Sequence, residues 1–297
     1  MKNVKAIFLD MDGTLLHENN RASENTASVI TKLRNKGYRV FLATGRAYEE
    51  IHLLIPKDLE FDGIISSNGT LGHIHEQVLF EHDLSVTAVE TIVEQAQKSG
   101  IYYEVFPFTE PRFALTKDQS WILELVKGEK PNQVAESEWL SRHEAIKEKL
   151  TWRHDIPNDL GYSKMYLFHP DLNKIEAFRN AMHEQSETLK IEVSNSTQNN
   201  VETMKYGINK GTGIQEMCQH FDIDLSETLV MGDSDIDLSE TLVMGDSDND
   251  RTMFEVGAVT VAMKNAKPHI KALTEYETED DNNEDGAAKF LEKHLLT

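Results

Sequence analysis

Asp10 and Asp12 stand two residues apart at the end of a short apolar run, residues 4–9. Side chains spaced by two at a strand's end project to one side, so both are expected to reach one ligand. Gly13 follows, where the backbone can turn sharply and bring its amides close to an anion. A carboxylate nucleophile beside a second carboxyl that moves protons is an arrangement for splitting a phosphoryl transfer into two steps. Alone, the same residues also read as an acidic strand end before a glycine turn.

Three later segments carry compatible chemistry. Val40-Phe41-Leu42-Ala43-Thr44-Gly45-Arg46 is a second apolar strand ending in a hydroxyl, a glycine and a cation, which suits a phosphate held by Thr44 and adjacent amides. Asn209-Lys210-Gly211-Thr212-Gly213 places Lys210 at the start of a helical stretch, where ammonium and helix dipole both favour an anion. Leu242-Val243-Met244 leads into Gly245-Asp246-Ser247-Asp248-Asn249-Asp250, an oxygen-rich cluster of the kind Mg²⁺ prefers, which also reads as a helix cap. Each segment is weak singly. Their order, and their places at strand ends and a helix start, join them into one site.

The elements that must position these residues alternate as an α/β fold requires. Strands are expected at 4–9, 38–43 and 63–66, with amphipathic helices at 24–35 and 48–54 between them. The pattern then changes. A polar hairpin-like stretch to 83 precedes a helix at 86–98, strands at 101–106, 112–115, 164–168 and 190–193, and helices at 138–150 and 172–184. This reads as an α+β unit of residues 85–196 inserted into a core of 1–84 and 197–297. The polar run 194–200 serves as a hinge, and 200–205 is expected to return to the core.

The ordered motifs resemble those of the haloacid dehalogenase (HAD) superfamily, whose pattern is DxDGT, a strand ending in Thr or Ser, a Lys, and GDxxND. Ala43 to Arg46 (ATGR), Ser67-Asn68-Gly69-Thr70, Asn209 to Gly213 (NKGTG) and Gly245 to Asp250 (GDSDND) resemble its Cof-type phosphatases with a subclass IIB cap. Val261-Ala262-Met263-Lys264-Asn265-Ala266 and Asp285-Gly286-Ala287-Ala288 also fit. The resemblance implies a Rossmann-like parallel-sheet core and a mobile α+β cap that closes over the active site and selects the substrate. It implies that Asp10 attacks phosphorus, that Asp12 acts as acid and then base, and that Mg²⁺ is held by Asp10, the Asp12 carbonyl and Asp246. Met11, Thr44, Gly45, Lys210 and Asn249 would bind phosphate, supported by Asp250, Arg46 and Asn68. The implied substrate is a small phosphorylated metabolite, such as a sugar phosphate. A phosphomutase and a phosphate-binding protein without catalysis are the alternatives.

Composition agrees with an enzyme. In 297 residues, 39% hydrophobic content suffices for real cores. Cys218 is the single cysteine, so no internal disulfide forms and a reducing cytoplasm is expected. No leader or membrane span is expected from the first residues. The net charge of −21 opposes nucleic-acid binding, so an anionic substrate must be held by local cations and amides. A monomer or weak homo-oligomer is expected. Trp121, Trp139 and Trp152 fall in the insert and read as its core, and His73 and His75 read as solvent-facing hairpin residues.

Residues 223–235, IDLSETLVMGDSD, recur without a mismatch as 236–248. Such a single perfect repeat is not a solenoid period. Two copies of Thr-Leu-Val-Met therefore compete for one strand. The first copy places Asp233 and Asp237 in its motif but has Ile236 where Asn belongs; the second has the full GDSDND. Seating the second copy puts the surplus at the edge opposite the site, where a longer loop costs only about 0.6 kcal/mol per doubling. Asp246, Asn249 and Asp250 are thus expected to form the site, with 223–235 extruded.

Overall fold

The computed structural model describes residues 4–223 and 241–296. They fall into two units, Met1–Glu81 with Ile208–Thr297, and His82–Gly207. In the first, β1 (Ala6–Leu9), β2 (Arg39–Ala43) and β3 (Gly63–Ser66) pair in parallel, and the hairpin of β4 (Leu71–Ile74) and β5 (Gln77–Glu81) extends the sheet antiparallel. The chain then builds the second unit's sheet from β6 (Tyr102–Pro107), β7 (Phe113–Leu115), β8 (Thr151–Arg153), β9 (Tyr162–Phe168), β10 (Ile191–Ser194) and β11 (Asn200–Lys205). It returns to the first with β12 (Thr241–Gly245), β13 (Val259–Ala262) and β14 (Tyr276–Glu277). Among the described residues the first sheet runs β14-β13-β12-β1-β2-β3-β4-β5 and the second β10-β11-β9-β6-β7-β8.

The central strands are apolar at successive residues because both faces are covered. Ile7 and Leu9 pack with Val40, Leu42, Leu242 and Met244 beneath the helices Glu24–Asn35 and Gly286–Leu291. Ala6 and Phe8 turn to the other side, against Phe41, Val243 and Ile214, Met217 and Cys218 of the helix Lys210–His220. Phe8 and Phe41 stack at 4.5 Å. Parallel pairing sets Leu9 beside both Leu42 and Met244. The carboxyl ends of β1, β2 and β12 therefore meet at one edge, where ligands of open α/β sheets bind.

The second copy of the repeat supplies β12. Residues 224–235 of the first copy, with Asp233, and Asp237 lie outside the described residues. Two sequence expectations differ from the structure. Residues 200–205 do not return to the core; β11 pairs antiparallel with both β9 and β10. His73 is buried, not solvent-facing, because its ring stacks on Tyr48 at 3.6 Å; His75 is exposed at the turn.

The second unit carries a buried polar network. Glu104 of β6 receives Arg112 at 2.9 Å, Arg142 and the Tyr102 hydroxyl at 2.7 Å. Burial alone would push Glu104 up, but Arg142 and Arg112 outweigh it and hold the carboxyl below its ordinary value of 4.5. Trp139 is buried, as core, and the Trp121 indole donates to Asp118 at 3.0 Å. Glu104→Ala is expected to destabilise this unit by about 3 kcal/mol, since it takes away one of the two carboxylates that the buried Arg142 pairs with and leaves only Glu138, at 3.3 Å, to offset that charge. Because the folded value is lowered, Glu104's contribution is full above 4.5 and is lost as pH falls through the folded value. Urea unfolding of parent and variant at neutral pH and near pH 3 checks both: the gap between them should shrink in acid.

Candidate active site

Asp10 follows β1 directly, and its amide donates to the Met244 carbonyl of β12 at 3.0 Å. Its carboxylate is buried and accepts from Lys210 Nζ at 2.6 Å. Lys210 is itself buried at the first position of its helix, which Asn209 and Thr212 cap reciprocally. Its ammonium also donates to Asp250 Oδ1 at 2.6 Å. Burial would lower the Lys210 pKa, but Asp10 and Asp250 raise it overall, so this amine is held charged. Asp250 Oδ2 accepts the amides of Asp246 and Ser247 at 2.9 and 3.0 Å. Asp250 thus fastens both the loop after β12 and the lysine.

Asp246 completes a trio with Asp10 and Asp250, with one ligand oxygen of each within 4.8 Å of the others. Burial first, then Asp250, pushes Asp10 up against the opposing pull of Lys210. Burial, Asp250 and Asp10 push Asp246 up likewise. Three carboxylates against one ammonium leave an excess of two negative charges, and Asp246 Oδ1 is a buried acceptor without a partner among the described residues. Hard oxygen donors in surplus, one of them orphaned, fit a divalent cation. Such an ion would reverse the upward shifts by supplying the missing positive charge.

The phosphate-loop residues come from β2 and the turn after β3. Thr44 is fully buried, and its hydroxyl accepts the Arg46 amide at 3.1 Å. The amides of Ser67 and Asn68 donate to the carbonyls of Arg46 and Thr44 at 2.8 and 3.0 Å, tying this turn to the Thr44-Gly45-Arg46 segment. Gly69, with φ +100°, lies so close to the Asn209 carbonyl that no Cβ fits there. Asn68 Oδ1 accepts from Asn249 at 3.2 Å. The Met11 side chain is buried in the core and its carbonyl accepts the Leu15 and Leu16 amides, so only its backbone N–H remains for an anion.

Asp12 stands apart from the trio. Its carboxylate is half exposed and is gripped by both arms of Arg46, from Nε at 2.8 Å and Nη2 at 2.6 Å. The expectation that Asp10 and Asp12 project together assumed a continuing strand; β1 ends at Leu9, and Gly13 at φ +74° turns the backbone. Sequence reasoning gave Arg46 only a supporting place, because nothing in the spacing announces a pair 34 residues apart. It named Asn265 only as part of a family-like segment, without a role, and missed Asn282; their amide groups donate to the Gly13 and Leu16 carbonyls.

A sheet edge where two aspartates hold the buried lysine of a helix start, beside a third aspartate and a threonine–glycine loop, defines a class of phosphate-handling α/β enzyme. Residues 7–239 and 234–291 match the model of the haloacid dehalogenase-like hydrolases, and the chain belongs to that family as a HAD-type hydrolase. The two matched stretches overlap at 234–239, inside the repeat. The chain is similar over 96% of its length to the putative phosphatase YkrA of Bacillus subtilis, 24% identical over 284 residues and 95% of that protein. A solved haloacid dehalogenase-like hydrolase from B. subtilis shares the fold with a TM-score of 0.78 at 22% identity, covering 99% of this chain and 100% of that one. The HAD subclass IIB sugar phosphatase BT4131 shares it at 0.69 and 22%, with coverages of 99% and 100%. No helix among the described residues is long and apolar enough to cross a membrane.

Proposed function

We propose that this protein is a Mg²⁺-dependent phosphatase of small phosphate monoesters, sugar phosphates among them, working through a phosphoryl group carried on Asp10. The observation that supports it best is the buried ammonium of Lys210, fixed at 2.6 Å from both Asp10 and Asp250. It holds the nucleophile in place and offers positive charge where phosphoryl oxygens gather. Asp10 attacks phosphorus; as the Asp10–phosphorus bond forms, the bond to the leaving oxygen breaks and Asp12 gives that oxygen a proton. Asp12, now a carboxylate, takes a proton from water as the water oxygen attacks phosphorus, which frees phosphate and restores Asp10. Asp12 must leave Arg46 to do this, because both its oxygens are occupied in the pair. The Thr44 hydroxyl, the Gly45 amide and Asn249 hold phosphate oxygens. Asp10 and Asp246, with the Asp12 carbonyl, would hold Mg²⁺, which when bound offsets the charge of carboxylates and phosphate. BT4131 is described as a sugar phosphatase, which supports that substrate class, and the second unit is the proposed selector of substrate.

Phosphate release from a panel of monoesters, with Mg²⁺ and with chelator, tests the reading; no release from any ester would overturn it. Asp12→Asn is expected to cost about 10²-fold or more with an alkyl phosphate and under about tenfold with an aryl phosphate, whose leaving group needs no proton. Equal losses would remove Asp12 from the acid role.

A further inference from the structure

The loop after Gly13 has local backbone bonds, Leu15 and Leu16 amides to the Met11 carbonyl, His17 to Arg21 and Asn20 to His17, and Leu16 bridges both to Ala22 and back to Asp12. Within it the Leu16 carbonyl takes its hydrogen bond from outside the loop. From the far end of the chain, the turn at residues 281–285 grips this loop at several points. The buried Asn282 donates from Nδ2 to the Leu16 carbonyl at 2.7 Å, and its amide donates to Asn265 Oδ1 at 3.2 Å. Asn265 in turn donates to the Gly13 carbonyl at 2.8 Å. Asn283 Oδ1 accepts the Glu18 amide at 2.8 Å. Asp285, in left-handed backbone at φ +59°, accepts from Ser23 at 2.7 Å and pairs with His17 Nε2 at 2.7 Å.

The gripped segment carries three features of the site. Asp12 enters it, paired with Leu16. Gly13 packs on the Asp246 carboxylate so closely that no Cβ fits between them. Asn20 accepts from Arg46 Nη2 at 3.3 Å, and the same nitrogen reaches Asp12 at 2.6 Å. We infer that the turn at 281–285, with Asn265, is a clasp whose positioning residues, Asn282 foremost, fix the loop that places Asp12 and its Arg46 partner.

A buried carbonyl at Leu16 that loses its donor is left unsatisfied, so the loop must open toward water to recover a hydrogen bond. Opening displaces Asp12 while leaving Asp10, Lys210 and Asp250 joined as they are. Loss of the clasp therefore falls on proton transfer to the leaving group and spares phosphate binding. This catalytic consequence rests on the reading given under Proposed function; the mechanical one does not.

The test is Asn282→Ala in the full chain, with Asn265→Ala as a second variant. Deuterium exchange at residues 12–22 is expected to quicken about tenfold or more, with exchange in β12, β13 and the second unit unchanged. With an alkyl phosphate kcat should fall about tenfold at a KM within threefold of the parent, and with an aryl phosphate kcat should fall by less than about threefold. Unchanged exchange at 12–22 overturns the clasp, as does an equal loss with both esters, which would mark general destabilisation. If the parent releases no phosphate, the functional reading fails and the exchange arm alone decides whether the clasp exists. Should Asn282→Ala not fold, Asn265→Ala, which removes an exposed hydrogen bond, carries the same expectations with smaller amplitude.

Discussion

Asp10→Asn should lower phosphate release by at least about a thousandfold while the protein melts no lower than the parent in metal-free buffer. The first half follows from the nucleophile's chemistry: an amide of nearly the same shape cannot form the acyl phosphate. The second follows from charge. Asp10 lies with Asp246 and Asp250 in one buried cluster balanced by a single ammonium, so removing one negative charge relieves repulsion while Lys210 keeps its bond to Asp250. Steady-state phosphate release and a thermal melt check the two halves together. Activity within tenfold of the parent would deny Asp10 its role. A melting temperature several degrees lower would show that the Asp10–Lys210 bond matters more to the fold than the excess charge.

Asp246→Ala should abolish Mg²⁺-dependent turnover, whereas Asp233→Ala should leave it within about twofold. The asymmetry comes from the repeat. Both residues follow a Thr-Leu-Val-Met-Gly segment, but Thr241–Gly245 is the segment paired between β1 and β13. Asp246 therefore stands at the sheet edge beside Asp10, with an unpartnered oxygen. A second readout is free of catalysis. Mg²⁺ should raise the melting temperature of the parent and of Asp233→Ala by binding the folded state, and should not raise that of Asp246→Ala. The reverse pattern would place the first copy in the strand.

The parts of the fold that were legible in the sequence share a physical cause. β1, β2, β3 and β12 are covered on both faces, so each centres on consecutive apolar residues, Ala6–Leu9, Val40–Ala43, Ile64–Ile65 and Leu242–Met244, that end near the site. The helix Lys210–His220 begins at Lys210, where the sequence placed its start, and the structure adds the cap: the Asn209 side chain accepts from the Thr212 amide. β11 was not legible as a partner of β9, because Glu202 and Thr203 look like surface residues; only the structure shows Glu202 buried against Lys164 at 3.2 Å. Glu104, Arg112 and Arg142 are likewise charged residues whose burial depends on one another. In the site, the residue types and their order showed what would assemble. They did not show that Arg46 takes Asp12 away from the trio, nor that Asn282 reaches back 266 residues to Leu16. Such pairings depend on tertiary placement, which local spacing does not encode.

Trapping of the phosphoryl enzyme addresses the nucleophile itself. Enzyme turning over a phosphate monoester with Mg²⁺ is quenched in acid and reduced with borohydride, which converts an acyl phosphate to an alcohol, and its peptides are read by mass spectrometry. Reduction is expected at Asp10, dependent on substrate and absent in Asp10→Asn. Phosphate release without reduction at Asp10, or with reduction at another carboxylate, would contradict an Asp10-centred phosphatase.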